Sequence, residues 1–199
     1  MSVAEKPVYE IRWHGRGGQG AVTSAKILAE AAFRSGFAGV TSQPSFGAER
    51  RGAPITASSR LAHEPIRVLS QVTEPDIVVV LDDSLLAVAN ATHGLREGGI
   101  VIVNTVKSAE ELGLGSSGSH VVTSDVSGAA QSANLIVGGQ PMISTAILGA
   151  LAAATGLITM ASVEAAIAHA FSGSAATKNI EAARIAFRCT SIDEQEVAT

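Results

Sequence analysis

A glycine-rich segment near the start of the chain has the residue types and spacing of a phosphate-binding loop. The segment consists of Gly15, Arg16, Gly17, Gly18, Gln19 and Gly20, which form the pattern G-x-G-x-x-G. Between a strand and a helix, such glycines permit a tight turn and close backbone approach to a phosphate, and the helix N-terminal amides point at the anion. The same pattern also allows a helix to pack tightly on a strand. The sequence leaves anion binding and pure packing open.

The residues downstream of this loop argue against ordinary dinucleotide binding. A dinucleotide fold places Asp or Glu about 20 residues after the glycines to hold the ribose, but residues 37–41 contain no acid. Arg16 within the loop, with Arg50 and Arg51 farther on, suits a more heavily phosphorylated ligand, because guanidinium groups bind phosphate in a bidentate manner.

A second candidate segment, residues 43–54, surrounds the arginine pair. Its two prolines and two glycines indicate a loop of fixed shape. Glu49 can orient Arg50 or Arg51 while the other arginine faces a ligand or a subunit. The alternative is a solvated Glu-Arg-Arg run, in which each ion pair contributes under about 1 kcal/mol.

The remaining candidates for chemistry are single residues. His14 borders the glycine loop and either binds a phosphate or packs. Asp82 and Asp83 follow an apolar strand, where a helix cap is commoner than a catalytic acid pair. Asn104 ends another apolar strand, where it either binds a ligand or stabilises a turn. Cys189 has no base nearby in the sequence and is not expected to act as a nucleophile.

The elements that must position these residues alternate between strands and helices. Apolar runs predict strands at residues 8–13, 38–41, 54–61, 66–69, 76–81, 100–104 and 120–123. Helical spacing predicts helices at residues 20–35, 84–92, 125–133, 141–155, 162–171 and 175–187, with Pro141 at a first helical position. This alternation predicts an α/β fold, a Rossmann-like three-layer domain with a mostly parallel sheet. Residues 1–190 are expected to form this single domain, and residues 191–199 a polar acidic tail.

Composition and charge narrow the classes of function. The 199 residues are 46% hydrophobic and only 16% charged, against a usual quarter, which favours a surface partly covered by a partner. Residues 1–67 contain nine of the 14 basic and five of the 18 acidic residues, which favours a local anionic ligand over nucleic acid. A single cysteine excludes a disulfide framework and a cysteine-held metal cluster. We expect a cytoplasmic protein without a signal peptide or a membrane span, because the uncharged stretch 126–163 is interrupted by polar residues and glycines.

Four segments together resemble a known family: IRWHGRGGQGAVTSAKILAEAA, SQPSFGAERRGAP, PDIVVVLDDSLL and IVIVN. They resemble the gamma subunit of 2-oxoacid:ferredoxin oxidoreductases, of which pyruvate:ferredoxin oxidoreductase (pyruvate synthase) is the best-known member. The resemblance extends from about Glu10 to about Arg188. One departure is the stretch 142–145, where family members often carry Asn.

The resemblance implies a subunit of an anaerobic-type complex that decarboxylates a 2-oxoacid, transfers the acyl group to coenzyme A and passes electrons through iron–sulfur clusters to ferredoxin or a related acceptor. Thiamine diphosphate with Mg would lie between the alpha and beta subunits, and the clusters in the beta subunit or a ferredoxin-like delta subunit. This chain would contribute coenzyme A binding and packing against the alpha subunit, and it would hold no catalytic residue and no metal. The glycine loop with Arg50 and Arg51 would line the phosphate site.

Two rival functions stay open at this point: a stand-alone Rossmann-like nucleotide-binding or regulatory module, and a free NAD-dependent enzyme. The 2-oxoacid also stays open among pyruvate, 2-oxoglutarate and the branched-chain, indolepyruvate and phenylglyoxylate classes, as do the final electron acceptor and the subunit stoichiometry.

Overall fold

A computed structural model describes residues 5–44, 51–68, 70–115 and 118–192, and within them a central sheet of seven strands. The strands in chain order are β1 (Val8–Arg16), β2 (Gly39–Pro44), β3 (Pro54–Ala62), β4 (Ile77–Val80), β5 (Ile100–Asn104), β6 (His120–Ser124) and β9 (Ser191–Ile192), and their order across the sheet is β2-β3-β1-β4-β5-β6-β9. β1, β4, β5 and β6 run parallel to one another, whereas β2, β3 and β9 add antiparallel edges. The predicted α/β fold is confirmed.

The apolar runs of β4 and β5 form the centre of the sheet. Every residue of both strands is buried, as expected of parallel strands covered on both faces. On one face, Ile77, Val79 and Ile102 join the main core with Trp13 of β1. On the other face, Val78 and its alternating neighbours form a smaller cluster.

The two helical layers differ in thickness. The main core is covered by α1 (Ala21–Arg34), α3 (Val126–Ser132), α4 (Ala146–Thr155), α5 (Met160–Ala170) and α6 (Gly173–Cys189). The opposite face is covered by the short helix α2 (Leu85–Val88) and by turns that bring Leu95 and Leu112 onto the sheet. The predicted three layers are therefore present, and one of them is built largely from loops.

Three predicted elements are wrong in detail. Residues 66–68 form no strand, because the two edges of β3, the preceding strand, are already paired with β1 and β2. Pro141 does not begin a helix: it lies in a two-strand hairpin of β7 (Ile136–Val137) and β8 (Gln140–Pro141), and α4 starts at Ala146. The helix predicted at 84–92 is limited to the four residues of α2, because the chain turns at Asn90, which has a φ of 43°.

The predicted end of the helix at residue 155 is confirmed. Gly156 ends α4 in the left-handed conformation, with a φ of 65°, as a glycine C-cap does. Within the described residues, no helix combines the length and the apolar character needed to cross a bilayer. Of the predicted tail, Ser191–Ile192 pairs with β6, and residues 193–199 lie outside the described residues.

Candidate functional site

The glycine loop joins β1 directly to α1. β1 ends at Arg16, and α1 begins at Ala21 with Gly20 as its N-cap. Gly18 and Gly20 have φ values of 99° and 87°, which only glycine adopts without strain. Gly20 offers no side-chain cap, and within the described residues neither its N–H nor that of Gly18 has a hydrogen-bond acceptor. The loop therefore leaves two backbone donors at a helix N-terminus.

Both interpretations of the glycines, packing and anion binding, have structural support. A Cβ at Gly20 would lie 2.6 Å from the Ser144 Cβ, and a Cβ at Gly15 would lie 3.1 Å from the Leu81 Cδ1. These two glycines are needed for packing. Gly18 is exposed, and a Cβ there would meet nothing within 4 Å, so its backbone is the part of the loop that a ligand can approach.

The glycine loop and the second loop meet, as the sequence analysis predicts. The Gly17 N–H donates to the Ala53 carbonyl at 2.9 Å, and the Gly52 N–H donates to the Gly17 carbonyl at 3.0 Å. These bonds hold Arg51, an exposed residue, beside the loop. Arg50 and Glu49 lie outside the described residues, so their predicted roles stay predictions.

A cavity of about 790 Å³ lies at the carboxyl ends of the parallel strands, where open α/β sheets bind ligands. Its lining includes Arg16, Gly17, Gly18 and Gln19 of the glycine loop, together with Arg51 and Asn104. The β7–β8 hairpin and Val106 form another part of the wall. Gly15 and Gly20 are not part of that lining.

The Arg16 side chain is held by the protein itself. Its Nε donates to Asp82 Oδ2 at 2.9 Å, its Nη1 to the Gly52 carbonyl at 3.1 Å and its Nη2 to Ser84 Oγ at 2.8 Å. Gln19 completes the arrangement: its Nε2 donates to Asp82 Oδ2 at 3.2 Å, and its Oε1 accepts from the Arg16 N–H at 2.7 Å. Arg16 thus lines the cavity with its charge matched by a carboxylate.

The acidic residues of the cavity also have partners. Partial burial alone would raise the pKa of Asp82, but hydrogen bonds from Ser84, Gln19 and Arg16 hold it below the usual value. Asp83 accepts from Thr105 Oγ1 at 3.0 Å and pairs with Lys107 at 2.9 Å. Because both carboxylates are held by hydrogen bonds or ion pairs within the protein, they fit the predicted structural role better than that of a catalytic acid pair.

Asn104 links three elements beneath the cavity. Its Nδ2 donates to the Leu81 carbonyl and to Ser127 Oγ, both at 3.0 Å, and its Oδ1 accepts from the Ser127 N–H at 3.1 Å. Its amide therefore fixes the start of α3 against the ends of β4 and β5, in agreement with the turn role of the two predicted alternatives.

His14 lies outside the cavity lining. It is 5% exposed, and its Nε2 accepts from Arg12 Nε at 3.0 Å. Its Nδ1 is buried and has no hydrogen-bond partner in the part of the chain that the structure describes. Burial, with a smaller contribution from the Arg12 charge, lowers the pKa of His14 to about 4, so the ring is neutral at pH 7. This placement agrees with the packing alternative.

Two features of the site are not predicted from the sequence. The first is that Asp82 is the partner that fixes Arg16 and Gln19. The second is an exposed apolar rim, in which Val106 is 81% and Val137 is 62% exposed. The two glycines in the segment Val137-Gly138-Gly139-Gln140, both with positive φ, are the one sequence signal of the hairpin that carries this rim. Among the described residues, no three His, Cys, Asp or Glu side chains are grouped as a metal site would need.

The fold and cavity together define a Rossmann-like α/β domain with a glycine-loop site at the carboxyl ends of its parallel strands. Residues 10–189 match the family model described as pyruvate ferredoxin/flavodoxin oxidoreductase. The chain therefore belongs to this family, and the resemblance to the gamma subunits of 2-oxoacid:ferredoxin oxidoreductases is confirmed.

Individual relatives align with this chain over nearly their whole length. The common gamma subunit of the pyruvate/ketoisovalerate oxidoreductases of Thermococcus kodakarensis is 52% identical over 187 residues, which cover 93% of this chain and 98% of the relative. Pyruvate synthase subunit PorC of Methanothermobacter marburgensis is 47% identical, over 89% of this chain and 95% of the relative. The crystal structure of pyruvate oxidoreductase subunit PORC from Thermotoga maritima superposes with a TM-score of 0.81 at 34% identity, covering 95% of this chain and all of that one.

Proposed function

We propose that this chain is the gamma subunit of a multisubunit, thiamine-dependent 2-oxoacid:acceptor oxidoreductase, in which it binds coenzyme A and packs against the other subunits. The complex would convert a 2-oxoacid and coenzyme A into acyl-CoA, CO₂ and a reduced ferredoxin or similar acceptor. Thiamine diphosphate with Mg would reside on the alpha and beta subunits, and the iron–sulfur clusters on the beta subunit or a ferredoxin-like subunit. Its relatives, named as gamma subunits of pyruvate and ketoisovalerate oxidoreductases, support the reaction class.

The observation that carries coenzyme A binding is the open end of the glycine loop. The exposed Gly18 and the helix N-cap Gly20 hold N–H groups without acceptors among the described residues, and Gly18 lines the same cavity as Arg51. Coenzyme A carries a pyrophosphate and a ribose phosphate, which backbone amides and a guanidinium recognise. The cavity volume of about 790 Å³ is within the range of sites for ligands of this size.

The packing role is supported by the apolar rim of the same cavity. Val106 and Val137 line the cavity and are 81% and 62% exposed; Val106 follows β5, and Val137 lies in β7. Exposed apolar surface often marks contacts with other chains. A subunit seated on this rim would cover the cavity mouth, so that coenzyme A would be held between this chain and its partner.

The proposal is tested in the assembled complex, purified through a tag on this chain. We expect co-purification of thiamine- and iron–sulfur-containing subunits and coenzyme A-dependent oxidation of a 2-oxoacid. Arg51→Ala should raise the KM for coenzyme A about tenfold or more, because a charge-assisted hydrogen bond contributes about 1.5–3 kcal/mol.

The matched control is Arg34→Ala, which removes an exposed arginine from the end of α1, away from the cavity. It should leave the KM for coenzyme A unchanged. A clean homo-oligomer that binds nucleotide would instead support a stand-alone module, and an Arg51→Ala complex with a wild-type KM would refute the assigned phosphate site.

A further inference from the structure

Three side chains at the base of the cavity form a closed set of hydrogen bonds. Asp82 Oδ2 accepts from Arg16 Nε at 2.9 Å and from Gln19 Nε2 at 3.2 Å, while Gln19 Oε1 accepts from the Arg16 backbone N–H at 2.7 Å. We call these three residues the Asp82 triad. Asp82 comes from the end of β4 and the other two from the glycine loop, so the triad ties the loop to the neighbouring strand.

The triad determines which arginine an anion in the cavity meets. The Arg16 Nε donates to the Asp82 carboxylate, and its two terminal nitrogens donate to neutral oxygens of Gly52 and Ser84. Arg51 is exposed on the same cavity, and none of the described residues forms an ion pair or a side-chain hydrogen bond with it. An incoming phosphate is therefore met by Arg51, whereas Arg16 is already neutralised.

The triad also determines the shape of the loop. With its Nε2 on Asp82, the Gln19 amide must turn its Oε1 toward the Arg16 N–H, and the Gln19 N–H closes the turn on the Arg16 carbonyl at 2.9 Å. Between these bonds lies Gly18, which has a φ of 99°, is exposed, and would have nothing within 4 Å of an added Cβ. Without the carboxylate, the Gln19 amide loses the bond that orients it, and this weakens its bond to the Arg16 N–H, one of the two bonds that close the turn.

We propose that Asp82 is a positioning residue for anion binding: it holds Arg16 and Gln19 so that the Gly18 backbone and Arg51 present donors to the phosphates of coenzyme A. This rests on the proposed function. This role predicts a distinctive direction for the change in anion affinity when Asp82 is replaced. Removing a negative charge from an anion site ordinarily strengthens anion binding, but here the loss of Asp82 weakens it because the loop is no longer shaped for the ligand.

The test compares two neighbouring aspartates in the assembled complex. Asp82→Asn is expected to raise the KM for coenzyme A about fivefold to tenfold, the effect of losing one or two hydrogen bonds, with kcat at saturating coenzyme A within about twofold of wild type. Asp83→Asn removes the same charge from the same cavity without touching the loop, and it is expected to lower that KM. Asp82→Glu, which keeps the carboxylate, should recover most of the affinity.

A fall in KM for Asp82→Asn, or an effect of the same sign in Asp82→Asn and Asp83→Asn, would overturn the positioning role. If Asp82→Asn fails to assemble, Gln19→Leu removes the amide bonds while leaving the Arg16–Asp82 pair, and it should raise the KM similarly; an unchanged KM would overturn the proposal. Arg51→Ala distinguishes the proposed coenzyme A binding from the positioning role of Asp82. If Arg51→Ala raises the KM and neither triad variant does, coenzyme A binding stands and the positioning role fails. If none of the three changes the KM, both fail.

Discussion

His14 is a buried titratable group whose protonation the fold opposes. The ring is 5% exposed, and its Nε2 accepts a hydrogen bond from the Arg12 guanidinium at 3.0 Å. A proton on Nε2 would remove this acceptor and place a second positive charge against Arg12. Burial first, and then the Arg12 charge, lowers the pKa of His14 from its ordinary 6.5 to about 4.

The sign and size of the effect on stability follow from these two values. The unfolded chain takes up a proton near pH 6.5 and the folded chain only near pH 4, so stability falls with acidification below pH 6.5 and the loss is complete below pH 4. Integrated over that difference in proton uptake, His14 costs the fold about 2 kcal/mol between pH 7 and pH 5, and about 3 kcal/mol by pH 4. Depressed carboxylate pKa values, such as that of Asp76, act mainly below about pH 4.5.

The measurement is the free energy of unfolding from urea titrations at pH 7, 6 and 5. His14→Gln keeps an oxygen that can accept from Arg12 and removes the titration, so it should reduce the loss between pH 7 and pH 5 by about 2 kcal/mol. Equal slopes for wild type and His14→Gln would refute the reasoning.

Two further predictions concern the core and the edge opposite the cavity. A Cβ at Gly149 would lie 1.9 Å from the Ala183 carbonyl oxygen, so Gly149→Val should force α4 from α6 and lower the free energy of unfolding by about 3 kcal/mol, whereas Ala153→Val on the same helix should cost under about 1 kcal/mol. Asp76 is 3% exposed and accepts hydrogen bonds from Lys6, Arg96 and the Glu10 N–H; Asp76→Asn removes the charge that strengthens these bonds and should cost about 2 kcal/mol. Urea titration at pH 7 measures both, and values below about 1 kcal/mol for either would contradict them.

The parts of the fold that the sequence predicts are those where one local pattern is sufficient. The runs of β4 and β5 are apolar at every position, which indicates a strand buried on both faces whatever surrounds it. The segment at 66–68 carries a charged residue, Arg67, between Ile66 and Val68, and whether such a segment becomes a strand depends on the pairing available to it. The preceding strand β3 offers none, since β1 and β2 occupy both its edges. Pairing of this kind is a tertiary property, and composition does not reveal it.

In the candidate site, too, the local motifs are predicted from the sequence, whereas the tertiary contacts between them are not. The glycine loop and the Arg51 loop are each visible as motifs, and the structure brings them together through Gly17, Gly52 and Ala53. The link from Arg16 to Asp82 spans 66 positions and exists because β1 lies next to β4 in the sheet. No local spacing encodes that neighbour relation, so the sequence analysis could name both residues without connecting them.

The basic first third of the chain predicts a local anionic ligand, and the structure shows which of its basic residues are available to such a ligand. Lys6, Arg16, Arg34 and Arg60 are each paired with a carboxylate within 3 Å, so four of the nine basic residues counted there are already neutralised. On the cavity, Arg51 and the Gly18 N–H remain without such partners among the described residues. Under the proposed function, these groups would recognise an anion by the positions of its oxygens. Recognition by geometry requires a loop that keeps its shape, which is why the proposed positioning role has a carboxylate strengthen the binding of an anion.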